Sequence, residues 1–485
     1  MERGKIIRSL IYKFTERFAA KLIGFVLGIL LARLLSPEIA GQVALLEVFV
    51  NLSFTLIDEG INSALVQTKN ADERDYMTVF LITLGLAGFI IGVLEAAAPA
   101  IAAYYRTPAI TLPLRVYAFS LLFSSFNSIQ VARLQREMRF REMMLCNLAA
   151  TVIAGVIGVA LAYRGAGLWS LVVYHFGQIV LSCLAALLVL RWLPRGRFSA
   201  ESAKRLGGFG LKMLGASVVA NLYNSLRPLI IGRRFTTADL GYYDRGQKFA
   251  STISLNLDVA IRSVMFPVLS RSQDDVGQFR AILRRTKQLG CFVVFPVMFG
   301  LAAVAEPLVR LLLTEKWLPA VPFLVLLSIG EAQVPLTSSN LVALKSLGRS
   351  DLYARQEIVR RVLMLAVLAA SVLAFDSVEA IAVGFVLSAW LDMWVTSWPL
   401  RKLLDYGLLP QLRDIWKSAL SSALMAASVW ALGLLPLPPL PLLVLQIFAG
   451  AALYLLLNLA LKNGSLLYAL SLLKRRSDAR EESSC

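Results

Sequence analysis

Charged residues recur within an apolar stretch near the middle of the chain. Asp244, Arg245 and Lys248 lie within five positions, and Asp258 and Arg262 follow at the helical spacing of four residues. A cation inside a bilayer costs about 2.5–3.5 kcal/mol on insertion scales, and such residues usually mark a substrate or ion pathway. Arg also presents paired N–H donors that match the oxygens of a phosphate. The pattern therefore predicts a wet, cationic surface for an anionic cargo.

Residues 240–268 are amphipathic when projected as a helix. Their polar side chains fall within an arc of roughly 160°, which predicts that one side of this helix lines water. An alternative stays open, in which Asp244 pairs with Lys248 and Asp258 with Arg262, each across one helical turn. In that case the charges only neutralise one another.

Further polar residues extend the predicted site. The stretch NLYNSLRP places amides beside a basic residue, and Lys21 follows two other cations at a spacing of four. The predicted cargo-binding set is Lys21, Asn221, Asn224, Arg227, Arg245, Lys248, Thr252, Asn256 and Arg262. Glu47 and Asp258 are candidates for a coupling proton or cation, although pairing with a nearby Arg is an equal alternative. His175, the only histidine, is expected to be a packed, hydrogen-bonded residue.

The composition requires lipid as the solvent. Of 485 residues, 58% are hydrophobic and only 16% are charged, against roughly 25% charged in soluble proteins. The net charge of +18 could indicate a nucleic-acid partner, but the Lys and Arg lie at the ends of apolar segments, which is typical of membrane topology. Four cysteines without a CxxC pair favour neither a disulfide framework nor a zinc site. No cofactor or metal is expected.

The apolar segments predict an all-α membrane protein with about fourteen transmembrane helices, since a bilayer core needs about 20 residues per helix. The eighth is polar enough to escape a hydropathy window. The predicted spans are 14–35, 39–57, 77–98, 110–131, 143–163, 167–190, 207–231, 240–268, 289–313, 319–344, 358–375, 378–400, 415–435 and 442–461. The basic start, without a cleavage signature, is interpreted as part of a retained first helix.

The distribution of basic residues orients these segments. Most of the 49 Lys and Arg fall in alternate connections. Because basic residues concentrate on the cytoplasmic side, both termini are predicted to be cytoplasmic. The opposite connections hold only Arg33, Arg106, Arg164, Arg233, Arg234 and Lys316.

An internal repeat divides the sequence. ARLLSPEIAG at 32–41 aligns with GRRFTTADLG at 232–241, and the same offset of 200 pairs Gly41 with Gly241 and Asp58 with Asp258. Six segments separate the copies, an even number, so both have one orientation. The predicted domains are two six-helix bundles at 1–205 and 206–405, followed by segments 13 and 14 and a cytoplasmic tail at 406–485.

The stretches LGYYDRGQKF, ARLLSPEIAG and IDEGINSALVQ resemble the oligosaccharide flippases. These form the polysaccharide transporter family of the multidrug/oligosaccharidyl-lipid/polysaccharide exporter superfamily. The sequence departs from the family at Gly246, where relatives often have Ala. The resemblance covers most of the chain. It implies two six-helix bundles around a central cavity, and alternating-access transfer of undecaprenyl-diphosphate-linked oligosaccharide units across the bacterial inner membrane. It also implies a polysaccharide polymerase and a chain-length regulator as partners.

Three alternative functions would each require different features of the sequence. A proton- or sodium-coupled multidrug exporter would hold cationic drugs with carboxylates, whereas this interior has more Lys and Arg. A lipid II flippase would differ in cargo and not in mechanism. An enzyme is not expected, because no long external loop carries a catalytic constellation, and no G-x-x-x-x-G-K-[ST] phosphate loop is found.

Overall fold

The computed structural model describes residues 23–58, 65, 68 and 71–468, which contain helices and no strand. Two 3₁₀ turns, Pro108–Ile110 and Glu315–Ala320, precede α4 and α12. The helices are α1 (Ile23–Leu34), α2 (Pro37–Asp58), α3 (Glu73–Tyr104), α4 (Thr111–Ala118), α5 (Ser120–Arg136), α6 (Phe140–Tyr163), α7 (Leu168–Leu190), α8 (Ala200–Arg234), α9 (Thr237–Arg271), α10 (Val276–Ala303), α11 (Ala305–Leu312), α12 (Val321–Glu331), α13 (Val334–Ser346), α14 (Ser350–Ala374), α15 (Val378–Leu404), α16 (Leu408–Leu432) and α17 (Pro439–Ala460).

The all-α membrane fold is confirmed, and a helix or a broken helix is found at each predicted span. Among the described residues, eleven segments are long and apolar enough to cross a membrane. The segments that fall outside this group are α1, which is described only from Ile23, and the more polar α8 and α14. The prediction that a hydropathy window would miss the eighth span is wrong, because α9 is apolar enough to meet the hydropathy criterion. The number of fourteen stays a prediction.

The chain divides into two compact units, Met1–Asp244 and Arg245–Cys485. In the first, α6 packs along α7, and α2 packs against α8 around an apolar core. In the second, α10 packs on α16, and α14 packs on α15. The unit boundary falls within α9. The predicted domains at 1–205, 206–405 and 406–485 rest on the sequence repeat and stay a prediction.

The repeat is visible in the backbone of two turns. The Leu35 N–H donates to the carbonyl of Leu31, and the Phe235 N–H donates to that of Ile231, both at 2.9 Å. Five residues later the first bonds of α2 and α9 form in the same way, each at 3.2 Å. Residues 200 positions apart therefore end one helix and begin the next with the same hydrogen bonds.

The two repeated glycines meet where α2 and α9 begin. A Cβ atom at Gly41 would lie 1.7 Å from the Thr237 carbonyl oxygen, and one at Gly241 would lie 2.1 Å from the Pro37 carbonyl oxygen. Both neighbours are backbone atoms, which cannot rotate away as a side chain can. Only glycine lets the two helix ends approach this closely.

A buried ion pair joins α14 to α15 in the second unit. Arg360 contacts both carboxylate oxygens of Asp392, with an Nη2–Oδ2 distance of 2.6 Å, and also contacts Glu357 at 2.7 Å. Asp392 is 1% exposed. Because a charge in a lipid-facing helix must be compensated, this bidentate pair fixes how the two helices face each other.

We expect Gly41→Ala and Gly241→Ala each to force α2 and α9 apart, since the new methyl group meets backbone. Overpacking of this kind costs about 1–3 kcal/mol, so the apparent Tm of the purified protein in detergent should fall by several degrees.

Gly88→Ala on α3 is the matched control, because no atom lies within 4 Å of its added Cβ. Alanine is also the better helix former there. Equal stability of Gly241→Ala and Gly88→Ala would contradict the close crossing.

Candidate functional site

Arg227 on α8 is held by two tyrosines in the first unit. It is 8% exposed, and its Nη1 lies 3.2 Å from the hydroxyl of Tyr243. The guanidinium also lies 5.7 Å from the ring centroid of Tyr223. An aromatic face and a hydroxyl oxygen both stabilise a cation. The buried guanidinium of Arg227 is shielded from solvent in this conformation.

The two predicted amides on α8 differ in exposure. Asn221 donates from Nδ2 to the hydroxyl of Thr55 on α2, at 2.8 Å. Asn224, one turn closer to Arg227, is exposed. A hydrogen-bonding group that is already exposed can bind a sugar hydroxyl directly, whereas Asn221 would first have to release Thr55.

Glu47 on α2 and His175 on α7 form a partly buried pair. Glu47 Oε1 lies 3.0 Å from His175 Nε2, and the side chains are 15% and 25% exposed. The rings of Tyr174 and Tyr117 lie 4.8 Å and 6.2 Å from the imidazole. His175 is thus packed against aromatic rings, as expected, and its contact with Glu47 places an imidazole beside a predicted coupling residue.

The cationic segment of α9 begins against α12 in the second unit. Arg245 is half-buried, with its guanidinium 5.3 Å from the ring centroid of Trp317. The next residue, Gly246, packs so closely that a Cβ would lie 2.9 Å from the backbone nitrogen of Leu324. An alanine there would require α12 to shift. Gly246 therefore allows α9 and α12 to lie close together beside Arg245.

Three more predicted residues lie along the same helix. Lys248, Thr252 and Asn256 are all half-buried. Asn256 donates from Nδ2 to the Thr252 carbonyl at 2.7 Å. Neither Lys248 nor Asn256 is fully enclosed by the protein.

Asp258 differs from the expectation of a continuous wet face. It is 2% exposed, accepts a hydrogen bond from the Ser338 hydroxyl on α13, and pairs with Arg262 at 2.8 Å. The side chain of Arg262 remains 42% exposed. The alternative of an i,i+4 pair is therefore present at this position. Projection of the sequence gives the angular position of Asp258 but not the neighbour that covers it.

A buried lysine belongs to a polar network that the sequence does not predict. Lys287 precedes the predicted ninth span, in a connection assigned to the cytoplasm, yet it is fully buried on α10. Its Nζ donates to Asn340, and it lies 4.9 Å from the Tyr406 ring centroid. The Tyr406 hydroxyl donates to Asp414, which also pairs with Arg284. Nothing in the sequence around one Lys indicates that it belongs to such a network.

Lys21 lies outside the described residues. Within the part of the chain that is described, no group of three or more His, Cys, Asp or Glu residues could hold a metal ion.

Comparison with known proteins identifies the family. The profile of a family described as polysaccharide biosynthesis protein matches residues 30–322. The succinoglycan biosynthesis transport protein ExoT of Rhizobium meliloti (strain 1021) is 27% identical over 436 residues, covering 88% of this chain and 86% of that protein. The teichuronic acid biosynthesis protein TuaB of Bacillus subtilis (strain 168) is 25% identical over 304 residues, covering 61% of this chain and 62% of that protein.

A solved structure shares the fold. The lipid II flippase MurJ, in an inward closed conformation, superposes with a TM-score of 0.77 at 14% identity, covering 92% of this chain and 98% of that one. At this identity the likeness concerns the fold alone. The profile match shows that this chain belongs to the polysaccharide biosynthesis protein family, and the superposition shows that it has the MurJ-like fold.

Proposed function

We propose that this protein moves undecaprenyl-diphosphate-linked oligosaccharide units from the cytoplasmic to the outer leaflet of a bacterial inner membrane, for assembly of a surface polysaccharide. The observation that carries the proposal is family membership together with basic side chains held within membrane helices. ExoT, whose name describes transport in succinoglycan biosynthesis, matches along 86% of its length. Both termini are proposed to be cytoplasmic.

The basic residues suit a diphosphate head group. Arg227 and Arg245 each lie near an aromatic ring that restricts the side chain, so they lose little side-chain entropy when they bind an anion. Phosphate oxygens accept two hydrogen bonds from one guanidinium. Arg262 is a weaker candidate than the sequence indicated, because Asp258 already occupies it.

The sugar and the lipid tail require different surroundings. Exposed Asn224 and half-buried Lys248 and Asn256 can hydrogen-bond sugar hydroxyls, while an undecaprenyl chain remains in the bilayer. Lys21 completes the proposed cargo-binding set from the sequence. Thr252 supports it only through its carbonyl contact with Asn256.

Transfer would follow alternating access, the mechanism in which a site opens to one side of the membrane at a time. Glu47, which lies 3.0 Å from His175, is the better candidate for a coupling proton, because an imidazole and a carboxylate in contact can pass a proton between them. Asp258 is the poorer candidate because Ser338 and Arg262 already contact its carboxylate. A polysaccharide polymerase and a chain-length regulator are the proposed partners.

A multidrug exporter is the second candidate function, and the shared fold is the only ground for it. A multidrug transporter of the same superfamily superposes with a TM-score of 0.61 at 15% identity, which says nothing about cargo. Drug-resistance assays on an expressing strain separate the two functions, and chemical analysis of accumulated lipid-linked intermediates separates an oligosaccharide cargo from lipid II.

We expect Arg245→Ala combined with Lys248→Ala to abolish most polymer export while membrane insertion and abundance stay normal. A charge-assisted hydrogen bond contributes about 1.5–3 kcal/mol, so losing the Arg245 contact alone should reduce transport about tenfold or more. The measurement is surface polysaccharide in a deletion strain complemented with each variant, together with cytoplasmic-leaflet intermediates.

Arg310→Ala is the matched control, because Arg310 is exposed and already paired with Glu306 and Glu315. Full export by the double variant would refute the cationic role, and an equal loss in Arg310→Ala would show a general effect of removing charge.

We expect Glu47→Gln to uncouple transport from the proton gradient, because the amide keeps the size of the carboxylate and its polar contact with His175 but cannot carry the proton. A difference of one pH unit across the membrane supplies about 1.4 kcal/mol per proton. That free energy corresponds to about a tenfold difference in the amount of cargo transferred at equilibrium. The measurement is the transfer of a lipid-linked sugar between the leaflets of liposomes that contain the protein, with and without that gradient.

Asp258→Asn serves as the comparison and should retain gradient dependence. Gradient-dependent transport by Glu47→Gln would eliminate Glu47 as the coupling site.

A further inference from the structure

A recess of about 490 Å³ opens between the start of α14 and the end of α15. It lies within the second unit, and its walls come from antiparallel neighbours that pack on each other. Arg349, Arg355 and Lys402 line it together with Trp394, Trp398 and Gln356. None of these residues belongs to the proposed cargo site.

The charge of the recess is net positive. Arg349 is neutralised locally, since its guanidinium bonds Asp351 at 3.0 and 2.9 Å and lowers the pKa of Asp351 to about 2. Arg355 and Lys402 are exposed and form no ion pair with a described carboxylate. Two cations are therefore left to attract an anion.

Gln356 supplies a hydrogen-bond acceptor. The residue is 8% exposed, and its Oε1 atom is buried without a donor in the described part of the chain. An unsatisfied buried carbonyl costs free energy until a donor reaches it. Because Gln356 lines the recess, a small rotation of its amide would present this oxygen to an occupant that carries a hydroxyl group.

The indoles place the recess at a membrane surface. Trp394 and Trp398 are 51% and 55% exposed, one turn apart, with ring centroids 6.0 Å from each other. Exposed Trp on a membrane helix is typical of the head-group level. Val359, also in the lining, is 43% exposed and continues the surface toward the acyl region. In the proposed topology this end of α14 and α15 faces the cytoplasm.

We propose that this recess binds the head group of phosphatidylglycerol from the cytoplasmic leaflet. Its phosphodiester supplies the anion for Arg355 and Lys402, and its glycerol hydroxyls supply the donor for Gln356. Basic pockets between membrane helices on the cytoplasmic side commonly hold anionic lipids. Phosphatidylcholine lacks both the net charge and the hydroxyl donors, so the recess discriminates against it.

The test is native mass spectrometry of the full-length protein titrated with phosphatidylglycerol, phosphatidylcholine or phosphatidylmethanol. The last is anionic but has no head-group hydroxyl. We expect wild type to prefer them in the order phosphatidylglycerol, phosphatidylmethanol, phosphatidylcholine. Arg355→Gln and Lys402→Gln should each weaken phosphatidylglycerol about fivefold, since a basic residue at an anionic lipid surface contributes about 1 kcal/mol.

Two variants test separately the position of the charge and the contact with the head-group hydroxyl. Arg401→Gln removes a neighbouring exposed cation that does not line the recess and should leave binding unchanged. Gln356→Leu should erase the preference for phosphatidylglycerol over phosphatidylmethanol without changing the preference over phosphatidylcholine. Elution volume and apparent Tm confirm that each variant is folded.

Several results would overturn the proposal. These are equal binding of phosphatidylglycerol and phosphatidylcholine, an equal loss in Arg401→Gln, or a Gln356→Leu protein that still prefers the glycerol head group. Displacement of phosphatidylglycerol by equimolar undecaprenyl phosphate would assign the recess to the polyprenyl carrier instead. None of these outcomes depends on which oligosaccharide the protein moves.

Discussion

Every charge within the described membrane helices has to be compensated by the protein itself, because lipid offers neither hydrogen bonds nor counterions. Different residues meet this constraint differently. Asp392 and Asp258 are buried against arginines, which closes them to other partners. Arg227 and Arg245 also lie near aromatic rings, and a ring stabilises a cation without removing its charge.

Sequence position alone does not reveal these partners. Arg262 and Arg245 lie on one helix and look alike in the sequence, yet Arg262 pairs with Asp258 one turn away, while Arg245 lies beside the indole of Trp317. Glu47 contacts an imidazole from another helix, that of His175.

The membrane class, the helix positions and the repeat could be predicted because each depends on local composition or spacing. The partners of individual charges could not. Glu47 and His175 come from α2 and α7, and Arg360 and Asp392 from neighbouring helices whose facing sides no single sequence specifies. Lys287 shows the same limit, since a basic residue before an apolar segment normally marks the cytoplasmic surface, whereas here α13 and Tyr406 enclose it.

The glycine crossing between α2 and α9 makes the two copies of the turn depend on each other. Gly41 approaches Thr237 while Gly241 approaches Pro37, so each copy of the turn touches the other with its equivalent residues. Reciprocal contacts of this kind are what two identical subunits make across a twofold axis. A change at either glycine alone therefore disturbs the ends of both helices.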